Sequence, residues 1–174
     1  IFYHYKAKLK RSDFMAEIRH ELKKSSGVKL GLGICKAADA PFVQVVCAGL
    51  SFFDCSEKEI SNNMERQIII ETVILERFTS VIGTIGSVAV YIGLLGTITG
   101  ILRAFHDVSI SGSGGINVII GGISEALSTT AAGLTIAIPA VATYNYCMKK
   151  IDDFIKDMEL AASETMDLIS AIRK

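Results

Sequence analysis

The sequence predicts an all-α integral membrane protein, with long helices that run from the bilayer into the cytoplasm. Three observations carry this. Half of the 174 residues are hydrophobic and about a fifth are charged, with the apolar ones clustered rather than spread. Residues 78 to 102 hold no charged side chain, a run that as a helix exceeds the roughly 30 Å hydrocarbon core of a bilayer. No alternating strand pattern competes, and helices are one of only two ways to satisfy every backbone group in hydrocarbon.

The first residues, Ile1 to Tyr5, are apolar and aromatic and break into Lys6-Ala7-Lys8-Leu9-Lys10-Arg11. This is the pattern of a helix leaving the bilayer on its cytoplasmic side, so residues 1–6 read as the end of an earlier span. A signal peptide would place its positive charges before the apolar run. The expected organisation continues with a cytoplasmic helical region (7–77), a span (78–106), a periplasmic loop (107–116), a second span (117–148) and a cytoplasmic helix (149–174).

In the cytoplasmic region, Ser12 caps a helix with Phe14, Ile18 and Leu22 on one face, ended by Ser25-Ser26-Gly27. A second helix follows Pro41 and uses Val43, Val46, Cys47 and Leu50. A third opens with a capping box, Ser56-Glu57-Lys58-Glu59. Its period runs through Ile60, Met64, Ile68 and Leu75 without Pro or Gly, predicting one unbroken helix into the membrane at Phe78. After Met148 the period resumes with Ile151, Phe154, Ile155, Met158, Ala162, Met166 and Ile169.

Charge distribution sets orientation. Lys6, Lys8, Lys10 and Arg11 precede the spans and Lys149-Lys150 follow them, while the stretch from Arg103 to Asn117 that connects the apolar runs holds only Arg103 and Asp107. The positive-inside rule puts both flanks in the cytoplasm and the connection on the far side. A net charge of zero gives no footprint for nucleic acid. Cys35, Cys47, Cys55 and Cys147 lack metal-ligand spacing and read as free thiols, so no metal and no cofactor is expected. Gly112-Ser113-Gly114-Gly115 lacks the Gly-Lys-Ser/Thr and preceding strand of a phosphate loop and reads as a turn. Ser128 near Glu125, and Cys147 without a nearby His, make no nucleophile–base dyad, so no enzyme is expected.

Within the spans, small residues fall into stripes. Gly86, Val90, Gly93, Thr97 and Gly100 share one, with Gly96 and Gly100 forming G-x-x-x-G. On the second span, Gly121, Glu125, Ser128 and Ala132 make a stripe beside Gly122, Ala126, Thr129, Gly133 and Ala137. Small residues let membrane helices pack closely, which assigns Gly93, Gly96, Gly100, Gly122 and Gly133 to helix contact. Pro139 removes a helical bond and is expected to bend the second span. The hydroxyls of Thr97, Thr129 and Thr130 can bond back to their own helices.

Glu125 differs in kind. A charge at the bilayer centre costs about 2.5–3.5 kcal/mol on insertion scales, so an intramembrane acid is a functional hypothesis about ion or proton passage. A carboxyl group that takes its neutral form in hydrocarbon serves equally as helix glue and as a relay.

These residues carry a resemblance. The runs Tyr91-Ile92-Gly93-Leu94-Leu95-Gly96-Thr97-Ile98-Thr99-Gly100-Ile101, Gly122-Ile123-Ser124-Glu125-Ala126-Leu127-Ser128-Thr129-Thr130-Ala131-Ala132-Gly133-Leu134 and Ile138-Pro139-Ala140-Val141-Ala142-Thr143-Tyr144-Asn145 resemble, in order, the TolQ/ExbB/MotA family of proton-channel stator subunits. The long insertion before the spans fits its TolQ and ExbB branch, whose subunits have three spans. The resemblance implies a multi-pass subunit of the bacterial inner membrane, in a homo-oligomeric ring, usually a pentamer. That ring surrounds an ExbD- or TolR-like small membrane protein and works through a TonB- or TolA-like protein. It places the proton path on Thr97, Glu125 and Thr130, with Ser128 and Thr129 as support, and implies that the partner's intramembrane Asp carries the proton. Where the family often has Val-Trp-Gly, this chain has Ile98-Thr99-Gly100, which adds a hydroxyl and removes an aromatic. Thr84-Ile85-Gly86-Ser87 leans toward TolQ, and both TonB-dependent transport and Tol-Pal envelope maintenance stay open. A flagellar or gliding motor stator and a passive membrane scaffold are the alternatives.

Overall fold

The computed structural model describes residues 10–22, 27–38, 40–111 and 116–173; the expected first-span end, Ser25-Ser26 and the glycine-rich turn lie outside the described residues. Among the described residues all regular structure is helical: α1 (Arg11–Leu22), α2 (Gly27–Ala37), α3 (Pro41–Ser51), α4 (Glu57–Glu76), α5 (Thr79–Ser111) and α6 (Ile116–Arg173). The chain divides into two compact units, one of Ile1–Glu76 with Lys149–Lys174 and one of Arg77–Met148.

The first unit is a helical bundle with a conventional apolar core. Phe14, Met15, Ile18 and Leu22 of α1 are buried, and the Phe14 and Phe42 rings meet edge to face at 5.6 Å. Pro41 stands in the first turn of α3, where its missing N–H costs nothing. Val43, Val45, Val46 and Leu50 of α3 join Ile60 and Met64 of α4 and Met158, Ala161 and Ile169 of α6 in the same core. Gly49 is where α3 comes closest, since a Cβ there would lie 2.7 Å from Met64 Sδ and 3.2 Å from Thr165 Cγ2. Polar ties close the bundle's edge. The Arg11 guanidinium pairs with Asp157 at 3.4 Å and with Glu164. Arg173 donates to the Cys55 carbonyl at 2.6 Å and lies over the Phe53 ring.

The capping box is present: the Ser56 N–H donates to Glu59 Oε2 at 2.9 Å and the Glu59 N–H to Ser56 Oγ at 3.4 Å. Other expectations need correction. Helix α1 begins two residues earlier than a Ser12 cap would place it, with the Lys10 carbonyl accepting from the Asp13 and Phe14 N–H groups. Gly27 starts a helix instead of ending one. That helix, α2, carries Gly27, Gly31 and Gly33, whose low propensity hides it in the sequence. Tertiary packing overrides the propensity, because a Cβ on Gly31 would meet Leu50 at 3.3 Å and the side chains of Leu22 and Ile18 just beyond. The helix expected to run unbroken past Phe78 is interrupted by a turn at Arg77-Phe78. The following Thr79-Ser80 compete with the helical backbone and favour a new helix start.

The second unit is the pair of apolar segments. Thr79–Ile110 and the helix from Ile119 onward are each long and apolar enough to cross a membrane. Only 17 % of the apolar window of each is buried within the chain, so these are not core helices of a soluble fold. With the absence of strands among the described residues, this makes the chain an all-α membrane protein. Helix α6 continues without interruption through Pro139, and the Thr143 hydroxyl bonds the Pro139 carbonyl at 2.8 Å.

Candidate functional site

Within the second unit α5 and α6 meet along a seam of small residues, and the partners' numbers fall on α6 as they rise on α5. A Cβ on Gly86 would lie 2.9 Å from Val141 Cγ2, one on Gly93 3.2 Å from Thr130 Cα, and one on Gly100 2.8 Å from Ala126 Cβ. Gly96 faces Thr129 and Gly122 faces Ala104 in the same way, closer still. The helices therefore run antiparallel at backbone contact distance, the arrangement small residues permit in lipid. Gly133 makes the closest approach to backbone atoms, since its Cβ would sit 2.7 Å from the Ala89 carbonyl oxygen and 2.9 Å from Gly93 Cα.

The structure thus brings together Gly93, Gly96, Gly100, Gly122 and Gly133. On α6 the packing stripe is Gly122, Ala126, Thr129, Gly133 and Ala137; Ala126 and Ala137 are buried, whereas Gly121, Glu125, Ser128 and Ala132 are exposed. On α5, Ala89 and Ala104 complete the seam, and Val90 faces away from it, 42 % exposed.

The hydroxyls divide into two groups. Thr130 Oγ1 donates across the seam to the Gly93 carbonyl at 3.0 Å. The others bond back along their own helix: Thr97 to Leu94 at 2.6 Å, Thr99 to Leu95 at 3.0 Å, Ser128 to Ser124 at 2.9 Å and Thr129 to Ala126 at 2.7 Å. A hydroxyl that donates in this way keeps lone pairs that can accept a further hydrogen bond.

Glu125 lines a polar cavity of about 120 Å³ with Gly96, Thr99, Gly100, Arg103, Ala126 and Thr129. Gly96 and Thr129 also line an adjoining apolar groove with Thr84, Val88 and Ile136 among its walls. Of the residues expected to support the path, the structure places Thr129 in the Glu125 cavity. Thr130 lies at the seam on the Gly93 side, and Thr97 and Ser128 face their own helices' carbonyls. Sequence reasoning missed two cavity residues, Thr99 and Arg103. The signal for Thr99 was the departure at Ile98-Thr99-Gly100. Arg103 and His106 are both exposed, and Arg103 shares the lining of this cavity with Glu125.

The profile of the MotA/TolQ/ExbB proton channel family matches residues 37–160. The chain is 32% identical over 114 residues to the biopolymer transport protein ExbB of Pseudomonas putida, covering 66% of this chain and 35% of that protein. ExbB of Neisseria gonorrhoeae is 31% identical over 143 residues, covering 74% of this chain and 65% of that protein. ExbB of Salmonella typhimurium is 28% identical over 175 residues, covering 97% and 71%. The chain spans less than half the length of the Pseudomonas and Xanthomonas campestris relatives it matches.

Proposed function

Because the chain belongs to the MotA/TolQ/ExbB proton channel family, we propose that it is an ExbB-type subunit that couples proton flow across the bacterial inner membrane to work on a partner. The carrying observation is Glu125 on the α5–α6 pair, in a cavity whose other polar walls are Thr99, Thr129 and Arg103. An acid, hydroxyls and a guanidinium around one small space offer successive hydrogen-bonding positions between two membrane helices. One proton moving down the membrane potential releases about 2.3 kcal/mol per 100 mV, enough to bias a helix packing with two close-lying states.

The described spans contain no Asp between Thr79 and Ser111 other than Asp107 near its end, and none in α6 before Asp152. A complete path then draws its second acid from another chain. We assign that role to an ExbD- or TolR-like small membrane protein enclosed by a homo-oligomeric ring, a pentamer by resemblance, with force passed on by a TonB- or TolA-like protein. The ExbB names of the relatives favour TonB-dependent transport over Tol-Pal envelope maintenance. The role is that of a channel and stator, with no chemical turnover of a substrate.

The test is proton flux into liposomes holding the full-length protein with and without the small membrane protein that co-purifies with it. Flux that requires both supports the reading. An intact ring with its partner that passes no protons contradicts it and favours a passive scaffold.

A further inference from the structure

Arg103 needs an explanation that helix packing does not supply. It is the cation of α5 lining the same small cavity as Glu125, and charged side chains within membrane helices are expensive unless they pair. The antiparallel register brings the two together. Gly100 meets Ala126 and Ala104 meets Gly122, so Arg103 and Glu125 lie within about a turn of each other across the seam. Gly96 and Gly100 contribute no side chains to the cavity, which keeps its space open between the two charges.

That space suits water. At about 120 Å³ it exceeds several times the 10–15 Å³ that one water requires, and its walls supply a carboxyl, a guanidinium and two hydroxyls. The Thr99 and Thr129 hydroxyls are already oriented by their bonds to Leu95 and Ala126, leaving their lone pairs to accept.

Resting on the proton-channel reading and deepening it, we propose that Arg103 is the counter-charge of Glu125 within the same subunit, coupled to it through water held by Thr99 and Thr129. Arg103 is a positioning residue: it fixes the orientation and charge balance of the acid, so that the subunit enters the proton cycle with its own balanced pair. His106 and Asp107 stand on the next turn of α5, and Asp107 has interactions of its own.

The experiment uses the full-length protein in its native complex, reconstituted in liposomes. The infrared carboxyl band of Glu125 is isolated as the difference between wild type and Glu125→Gln after isotopic labelling of glutamate. Arg103→Gln is expected to shift that band, and Arg103→Lys and Asp107→Asn to leave it at its wild-type position. A band unmoved by Arg103→Gln, or moved equally by Asp107→Asn, overturns the assignment. Proton flux supplies a second readout, in which Arg103→Gln and Glu125→Gln each lose about tenfold and the double variant loses no more than either, as for residues in one coupled network. Losses that multiply in the double variant overturn the coupling. The infrared readout holds whether or not the complex conducts, so failure of the channel reading is seen separately, as absent flux in wild type.

Discussion

Thr130 Oγ1 donates to the carbonyl oxygen of Gly93 at 3.0 Å, a side-chain hydrogen bond from α6 to the backbone of α5. It sits where Gly93 and Gly133 bring the backbones closest, so a hydroxyl and two absent side chains define one point of the seam. Thr130→Val keeps the shape and removes the donor. Interhelical hydrogen bonds in membrane proteins are worth about 0.6 kcal/mol on average and up to about 1.7. Thermal unfolding of the purified complex should show a loss of that order, restored by Thr130→Ser. No change in Thr130→Val would mean that the bond contributes nothing to helix association.

Glycines on the same helix should respond in opposite ways. At Gly133 an added methyl meets the Ala89 carbonyl oxygen and Gly93 Cα, backbone atoms that cannot rotate aside. Gly133→Ala is expected to cost about 1–3 kcal/mol by overpacking. Gly121 has nothing within 4 Å of its added Cβ, so Gly121→Ala should be neutral or gain up to about 1 kcal/mol of helix propensity. Equal effects at the two sites, measured as shifts in unfolding temperature, would count against the packing described.

The capping box gives a pH prediction outside the membrane. The Ser56 hydroxyl, and then its backbone N–H, hold the Glu59 carboxylate below its ordinary value of 4.5. A carboxyl whose folded value lies below its unfolded one stabilises the fold above the unfolded value, and the contribution is lost as pH falls through the folded value. An NMR titration should therefore find Glu59 below 4.5 in wild type and higher in Ser56→Ala, which loses the hydroxyl but keeps the backbone donor. Identical titrations in the two would show that the box does not form in solution.

Thiol chemistry probes the first unit. Cys35 is 2 % exposed, and burial, reinforced by the neighbouring Cys47, pushes its thiol up to about 12. The thiolate is the reactive form, so a maleimide at neutral pH should spare Cys35 in the folded protein and label it after denaturation. Cys55, half-buried in the turn after α3, should react first. Rapid labelling of Cys35 in the native state would contradict the packing of α2 on α3.

What the sequence made legible was whatever repeats along one helix. The α1 face of Phe14, Ile18 and Leu22, the Pro41 start of α3, the Ser56 box and both apolar runs follow from spacing alone. Helix α2 did not, because its glycines satisfy a neighbour at Gly31 rather than a local preference. The break at Arg77-Phe78 was hidden by an unbroken hydrophobic period. For the candidate site, Glu125 stood out by its cost in lipid, but its surroundings depend on how α5 and α6 register. That register favours Thr99 over Thr97 as a cavity residue and places Arg103 on the same cavity lining as the acid. A single sequence lists which polar residues each span holds, and the seam decides which of them face each other.

On the proposed reading, Glu125 and its seam serve proton passage. The most direct measurement is proton flux into liposomes for the complete complex, comparing wild type with Glu125→Gln and Thr130→Val at matched assembly. Flux is expected in wild type, and is expected to collapse in Glu125→Gln and to fall in Thr130→Val while the ring stays intact. Undiminished flux in Glu125→Gln would contradict that reading and return Glu125 to a packing role.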